Sequence, residues 1–270
     1  FSFELAHFLL PKKISIFFSK ELTFYDYGVF QIEKRKFLKN SNLKAEHTVW
    51  EELIATNIKM EKIKDAHQIL QVWFSSSFPI GSYAYSHGLE ALIDDKKIKN
   101  NNDVKEFLDA LLFYGTLRND YIFIKSIYKG DEINQLILAS ASSKERQIEM
   151  IDMGNSFRKI MKDSWELSLP ENTSFIYCLA KAGLYFDIKF DDLIKFYLQS
   201  FISNLINTCV KHIPMSQKDG QTLNVIYINQ IQEFLTHSDK LTLDDIGTTF
   251  FIGDIYAIKH ENLDSRIYLT

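Results

Sequence analysis

Proline and glycine are scarce, with four and ten in 270 residues. So few chain breakers exclude a fold built from many tight turns and favour long helices. Cysteine is scarcer still. Cys178 and Cys209 are far apart, form no CxxC pair and sit among apolar neighbours. That excludes a disulfide framework and leaves two buried thiols as the expectation. No apolar run approaches the roughly 20 residues of a membrane span. The opening FSFELAHFLLPKKISIFF places Lys12 and Lys13 after its apolar run. A secretory signal has its charges first, so none is expected and a cytoplasmic location is. Positive charge is not in excess: 31 Lys and Arg face 35 Asp and Glu, for a net charge of −4. A nucleic-acid grip needs a concentrated basic face, so that class is set aside.

The signature motifs of several chemistries are missing too. There is no G-x-x-x-x-G-K-[ST] loop to cradle phosphates and no G-x-G-x-x-G turn. G-x-S-x-G, the nucleophile elbow, does not occur. None of the seven histidines forms an H-x-H or H-x-x-x-H pair, and the stretch KHEN offers only His260 and Glu261 instead of HExxH. Cys209 and His212 share a helix face by their spacing. Cys209 also lies in an apolar stripe, so a structural role outweighs metal ligation. The paired acids Asp94–Asp95, Asp191–Asp192 and Asp244–Asp245 fall at helix ends, where the helix dipole and solvent account for them.

What remains is rich in apolar and aromatic residues, with 22 Phe and 13 Tyr. Residues 1–64 show weak strand alternation in TFYDYGVFQIE and read as an N-terminal extension of uncertain structure. Residues 65–270 read as helical throughout. DAHQILQVWFSS forms a helix that stops before Pro79. YSHGLEALIDD restarts helical spacing at Tyr85, Leu89, Leu92 and Ile93. NNNDVKEFLDALLFYGTL has Asn102 as its expected N-cap. Helices follow in NDYIFIKSIYKG, EINQLILAS, SSKERQIEMIDMGNSFRKIMKD and ENTSFIYCLAKAG, the last stopping at Gly183. The widest apolar stripe runs from Leu193 through Ile206 to Val210, so that helix is expected at the centre. Pro214 ends it. Ser216 and Asp219 make an S-x-x-D capping signature for the next helix, and TTFFIGDIYAIKHENL is the last. The fold expected is an all-α bundle of about eight to ten helices.

The stretch SSSFPIGSYAYSHGLE, residues 75–90, concentrates Ser, Tyr, Gly and His. If Ser86 and His87 lie on a helix, their side chains diverge by about 100° and cannot pair. A turn at Pro79 and Gly81 is the simpler reading, with Ser82 capping the following helix and Gly88 admitting another backbone. For Tyr83 and Tyr85, core packing and an interface role are both open.

Three stretches together resemble one family, the urease accessory protein UreF. ILQVWFSSSFPIGSYAYSHGLE looks like that family's LLQLxSPxLPVGxFxYSxGLE signature. NLINTCVKHIPMSQKDGQ matches its helix, proline, polar pair and glycine, and DIYAIKHENLDSRIYLT its closing rHExxxSRLFxS. Their order and spacing agree across residues 66–270, and the overall look is that of the epsilon-proteobacterial members. Ser76 departs from a usual proline, and no histidine stands near Thr173. Residues 1–64 match nothing in the family.

The resemblance implies an all-α homodimer without enzymatic activity. It implies a complex with the scaffold UreD/UreH and the GTPase UreG that delivers nickel to apo-urease, with possible control of the partner's GTP hydrolysis left open in direction. No tightly bound cofactor, nucleic acid or membrane is implied; nickel is handled by the complex. Partner contacts are expected at Tyr83, His260, Glu261, Ser265, Arg266 and Tyr268, with the tail SRIYLT ordering on binding. The competing reading is a helical enzyme whose pocket gathers Tyr83, His87 and Asp94.

Overall fold

The computed structural model describes residues 65–261, 263 and 266–269. The extended character read in residues 1–64 lies outside the described residues, as does Ser265. Ten α-helices and two short 3₁₀ turns make up the described residues, with no strand among them. The all-α bundle expected from the sequence is what the described residues adopt.

Helix α1 (Ala66–Trp73) starts where Asp65 accepts hydrogen bonds from the N–H groups of His67 and Gln68. After the 75–88 turn come α2 (Leu89–Asp94), α3 (Asn101–Tyr114), α4 (Thr116–Tyr128), α5 (Asn134–Ala139) and α6 (Lys144–Ser164). The chain ends with α7 (Phe175–Tyr185), α8 (Phe190–His212), α9 (Gln217–Ser238) and α10 (Phe251–His260).

Helix α8 is the core element. It packs against α1, α3, α4 and α9. Its buried residues include Leu193, Ile194, Leu198, Ile202, Leu205 and Ile206, the stripe read in the sequence. Each such side chain withdrawn from water stabilises the fold by about 2 kcal/mol. Helix α9 begins with a reciprocal capping box, Ser216 with Asp219, as its S-x-x-D pattern requires. Helix α10 lies away from that core, on α2 and α6.

Three local expectations need correction. Helix α3 is capped by Asn100, whose Oδ1 accepts from the N–H groups of Asn102 and Asp103 at 2.9 and 3.2 Å. A run of three asparagines offers three possible caps, and Asp103 settles the choice by accepting from Lys99 and Asn100. Helix α7 does not stop at Gly183 but runs to Tyr185. That glycine is needed for packing: a Cβ there would sit 2.2 Å from the Tyr128 hydroxyl of α4. The third correction concerns the 75–90 turn and positions the site.

Candidate functional site

Helix α2 begins at Leu89, not Tyr85, because two successive residues turn left-handed. His87 has φ +54° and Gly88 φ +78°. A left-handed conformation cannot continue an α-helix. Gly88 therefore stands outside the helix, as its N-cap. Its predicted role in close approach holds, since a Cβ there would meet the Ala257 backbone nitrogen of α10 at 2.8 Å. Any side chain would thus both strain φ and push α10 off α2. Ser82 caps nothing. It opens a 3₁₀ turn, Ser82–Ala84, whose N-cap is Gly81 at φ +77°. Ser86 supplies the hydroxyl near the start of α2, accepting from the Glu90 N–H at 3.3 Å.

This turn points Tyr83 outward, 71% exposed, while burying Tyr85. Beneath it lies a cavity of about 510 Å³. Tyr83 and His87 both line it, with aromatic walls that include Phe196 and Phe201; Asp94 is not among its lining residues. The pocket imagined for an enzyme is therefore assembled only in part. The His87 ring lies 4.4 Å from that of Phe201. Its Nδ1 is 3.5 Å from Glu149 Oε2. This contact is not an ion pair, because burial and then the nearby Arg146 charge push the imidazole well below its ordinary range. The ring is neutral at neutral pH.

Three of the cavity's lining residues, Arg146, Glu149 and Tyr197, belong to a charged cluster that sequence reasoning missed. Arg146 of α6 hydrogen-bonds Glu149 one turn on. Its other terminal nitrogen lies 3.6 Å from Asp120 of α4. Tyr197 of α8 donates to Asp120 at 2.5 Å. Burial raises the Asp120 carboxyl, although Arg146 and Tyr197 pull it down. Burial also weighs against the Arg146 charge, but Glu149 and Asp120 outweigh it and raise the guanidinium further. Burial, with Asp120 adding to it, holds the Tyr197 phenol protonated as a donor. The cluster ties α4, α6 and α8 together through charges withdrawn from water. One signal was available: Arg146 and Glu149 fall on the same stripe of α6 as Met150, Met153 and Phe157.

The tail residues expected at partner contacts divide between inside and outside. His260 is fully buried, with Nε2 2.8 Å from Glu90 and Nδ1 3.1 Å from Glu145. Tyr268 is also buried, its hydroxyl 3.1 Å from His212 Nε2. Arg266 is exposed yet donates to Glu145 at 2.7 Å. Glu261 is exposed. The tail lies docked on the chain's own surface: Ile267 and Tyr268 N–H groups donate to Glu90, and Leu269 N–H donates to the Ala84 carbonyl at 2.7 Å. That last bond joins the tail to the turn that displays Tyr83.

Helix α10 adds an apolar outward face. Phe251, Ile252, Ile255 and Ile258 are all about half exposed or more. Their spacing places them on one side of the helix. Among the described residues no group of three or more His, Cys, Asp and Glu is arranged to hold a metal ion. Burial pushes the Cys209 thiol up to about 12, so it does not present a thiolate beside His212. Cys178 and Cys209 are both buried and free. No described helix is long and apolar enough to cross a membrane.

Comparison with known proteins bears on this surface. The family model described as UreF matches residues 98–225. The urease accessory protein UreF of Jannaschia sp. (strain CCS1) is 30% identical over 207 residues, covering 74% of this chain and 93% of that protein. UreF of Roseobacter denitrificans is 28% identical over 211 residues, covering 76% of this chain and 95% of the relative. UreF of Ruegeria pomeroyi is 28% identical over 207 residues, covering 74% and 95%.

Proposed function

The chain belongs to the UreF family of urease accessory proteins, and from that premise we propose that it is a urease maturation factor acting as a non-catalytic scaffold. It joins the scaffold protein UreD/UreH and the GTPase UreG in a complex that delivers nickel to apo-urease, and it bears on the partner's GTP hydrolysis. It works in the cytoplasm as a homodimer, with residues 65–270 as the working domain and 1–64 as an extension. Nickel is cargo of the complex, not a resident cofactor of this chain.

The observation that supports this reading most is the clustering of exposed apolar and aromatic side chains around α10 and the tail. A contiguous apolar face on a water-exposed helix marks a protein-binding site more often than not. Tyrosine and arginine are enriched among residues that carry binding energy. Tyr83 and Arg266 present those two side chains on segments joined by the Leu269–Ala84 hydrogen bond. Glu261 and Ser265 belong to the same proposed surface by sequence position. His260 and Tyr268 serve it from within, by fixing the tail.

Tyr83→Ala is expected to weaken capture of the partner complex about tenfold or more, the scale of a lost aromatic anchor. The comparator is Tyr114→Ala, 59% exposed against 71% for Tyr83, whose side chain takes no part in the tail's hydrogen bonds. Tyr227 does not serve for comparison, since it is buried and donates to the Lys105 carbonyl and Asp109. Pull-down with UreD/UreH reads the difference, and equal losses for Tyr83 and Tyr114 would count against a partner role for Tyr83.

A catalytic reading has one observation in its favour, the cavity shared by Tyr83 and His87. Turnover lost on His87→Ala would support it.

A further inference from the structure

Helix α8 is the core element, yet one strip of its surface is polar. Gln199, Ser200, Ser203 and Asn204 all line the cavity beneath the 75–88 turn, and all are half-buried. Their spacing puts them on one side of the helix. A core helix that met only protein on that side would carry apolar residues there.

The chain itself uses this strip only in part. Gln199 Nε2 donates to Ser203 Oγ at 3.3 Å, and Ser203 donates to Asn224 Oδ1 of α9 at 2.7 Å. Asn204 Nδ2 reaches Ser82 Oγ of the turn at 3.5 Å. Among the described residues, the Ser200 hydroxyl and the side-chain oxygens of Gln199 and Asn204 carry no hydrogen bond. Hydroxyl and amide groups offer donors and acceptors side by side.

Much of the remaining wall is aromatic. Phe74, just past α1, and Phe196 and Phe201 of α8 line the cavity and stay half-buried. The rings of Phe74 and Phe196 lie 6.3 Å apart and 29° from parallel. Those of His87 and Phe201 lie 4.4 Å apart and 31° from parallel. Such rings accept a further flat ring by offset stacking or edge contact. The charges in the wall are matched within the protein, Arg146 against Glu149 and Asp120. His87 is neutral at neutral pH. A charged guest would leave water without meeting a free counter-ion, at a cost no contact here offsets. A plain hydrocarbon would strand the polar groups of the strip. The volume of about 510 Å³ falls in the range of small-molecule sites.

We infer that this cavity binds an uncharged, flat aromatic molecule with an amide-like edge. The ring packs among Phe74, Phe196 and Phe201, and the edge pairs with Gln199, Ser200 and Asn204. The site is independent of the scaffold reading, since α1, α8 and the turn form it without a partner. An occupant still bears on the turn that displays Tyr83, because Ser82 and Tyr83 belong to the same wall.

The test uses the full chain alone and three probes of one skeleton: benzamide, benzoate and benzamidine. Ligand-observed NMR titration measures binding, and circular dichroism follows the fold. Benzamide is expected to saturate the site with a Kd of about 1 mM or tighter, a reasonable affinity for so small a ligand. The anion and the cation should bind about tenfold more weakly or not at all. Ser200→Leu, which puts an apolar branch in place of the hydroxyl, should weaken benzamide about tenfold. Gln199→Met keeps the side-chain shape without the amide and should weaken it by a similar factor. If Ser200→Leu does not fold, Gln199→Met and the comparison of the three probes decide. Benzamide binding that fails to saturate, that is undiminished in the folded variants, or that is matched by either ion overturns the site. No partner is present, so such a failure leaves the scaffold reading standing, and failure of partner capture leaves the site standing.

Discussion

Deletion of residues 261–270 is expected to abolish recruitment of the UreG partner while leaving the helical circular dichroism almost unchanged. The described tail residues 266–269 belong to no helix. It is held by hydrogen bonds to Glu90, Glu145 and Ala84, and the deletion exposes those acceptors to water instead of burying them unpaired. The stability cost is therefore modest, about 1–2 kcal/mol. The binding cost is large on the scaffold reading, because Arg266 goes and the turn carrying Tyr83 loses its tether. Arg266→Ala alone should lose recruitment while keeping the tail's backbone bonds. Pull-down and circular dichroism on the same preparations measure both quantities. Normal recruitment by the truncated chain would remove the tail from the partner surface.

The second large effect concerns stability. Arg146→Met is expected to cost about 3–5 kcal/mol, the range for removing one partner from a buried charge group. The guanidinium is the countercharge shared by Glu149 and Asp120, both almost wholly buried. Methionine fills much of the volume, so the loss is electrostatic more than steric. The triple variant Arg146→Met, Glu149→Gln, Asp120→Asn should recover most of it, because no buried charge then remains. The sign with pH follows from Asp120. Its carboxyl is already raised by burial, so it takes up a proton early as pH falls. The deficit of Arg146→Met therefore narrows on acidification. Urea unfolding at two pH values checks this, and a cost under about 1 kcal/mol for the single variant would show that the cluster does not hold α4, α6 and α8 together.

These two regions differ in how far the sequence revealed them. The core helix α8 was legible because Ile194, Leu198, Ile202, Leu205 and Cys209 repeat at three and four, a purely local signal. The capping box at Ser216 and Asp219 was legible for the same reason. The start of α2 was not, since apolar spacing from Tyr85 to Leu92 is compatible with a helix that the left-handed His87 and Gly88 forbid. The clamp on His260 was hidden by distance: its two carboxylates stand 170 and 115 residues away in sequence. No spacing rule connects them. The acceptors that Glu90 and Glu145 offer the tail were out of reach for the same reason, since no local pattern links residues 266–268 to α2 and α6. The Arg146 cluster was half visible, as charges interrupting an apolar stripe, but its members on α4 and α8 come together only in the folded chain.

The family and the helical architecture follow from what the chain itself carries, and the scaffold role is the reading most open to a direct test. Size-exclusion chromatography of the full chain with UreD/UreH, UreG, GTP and nickel provides it. The account predicts co-elution of all three proteins as one larger species, lost when residues 261–270 are removed. Elution of the folded chain by itself, with UreD/UreH and UreG both folded and present, would contradict it.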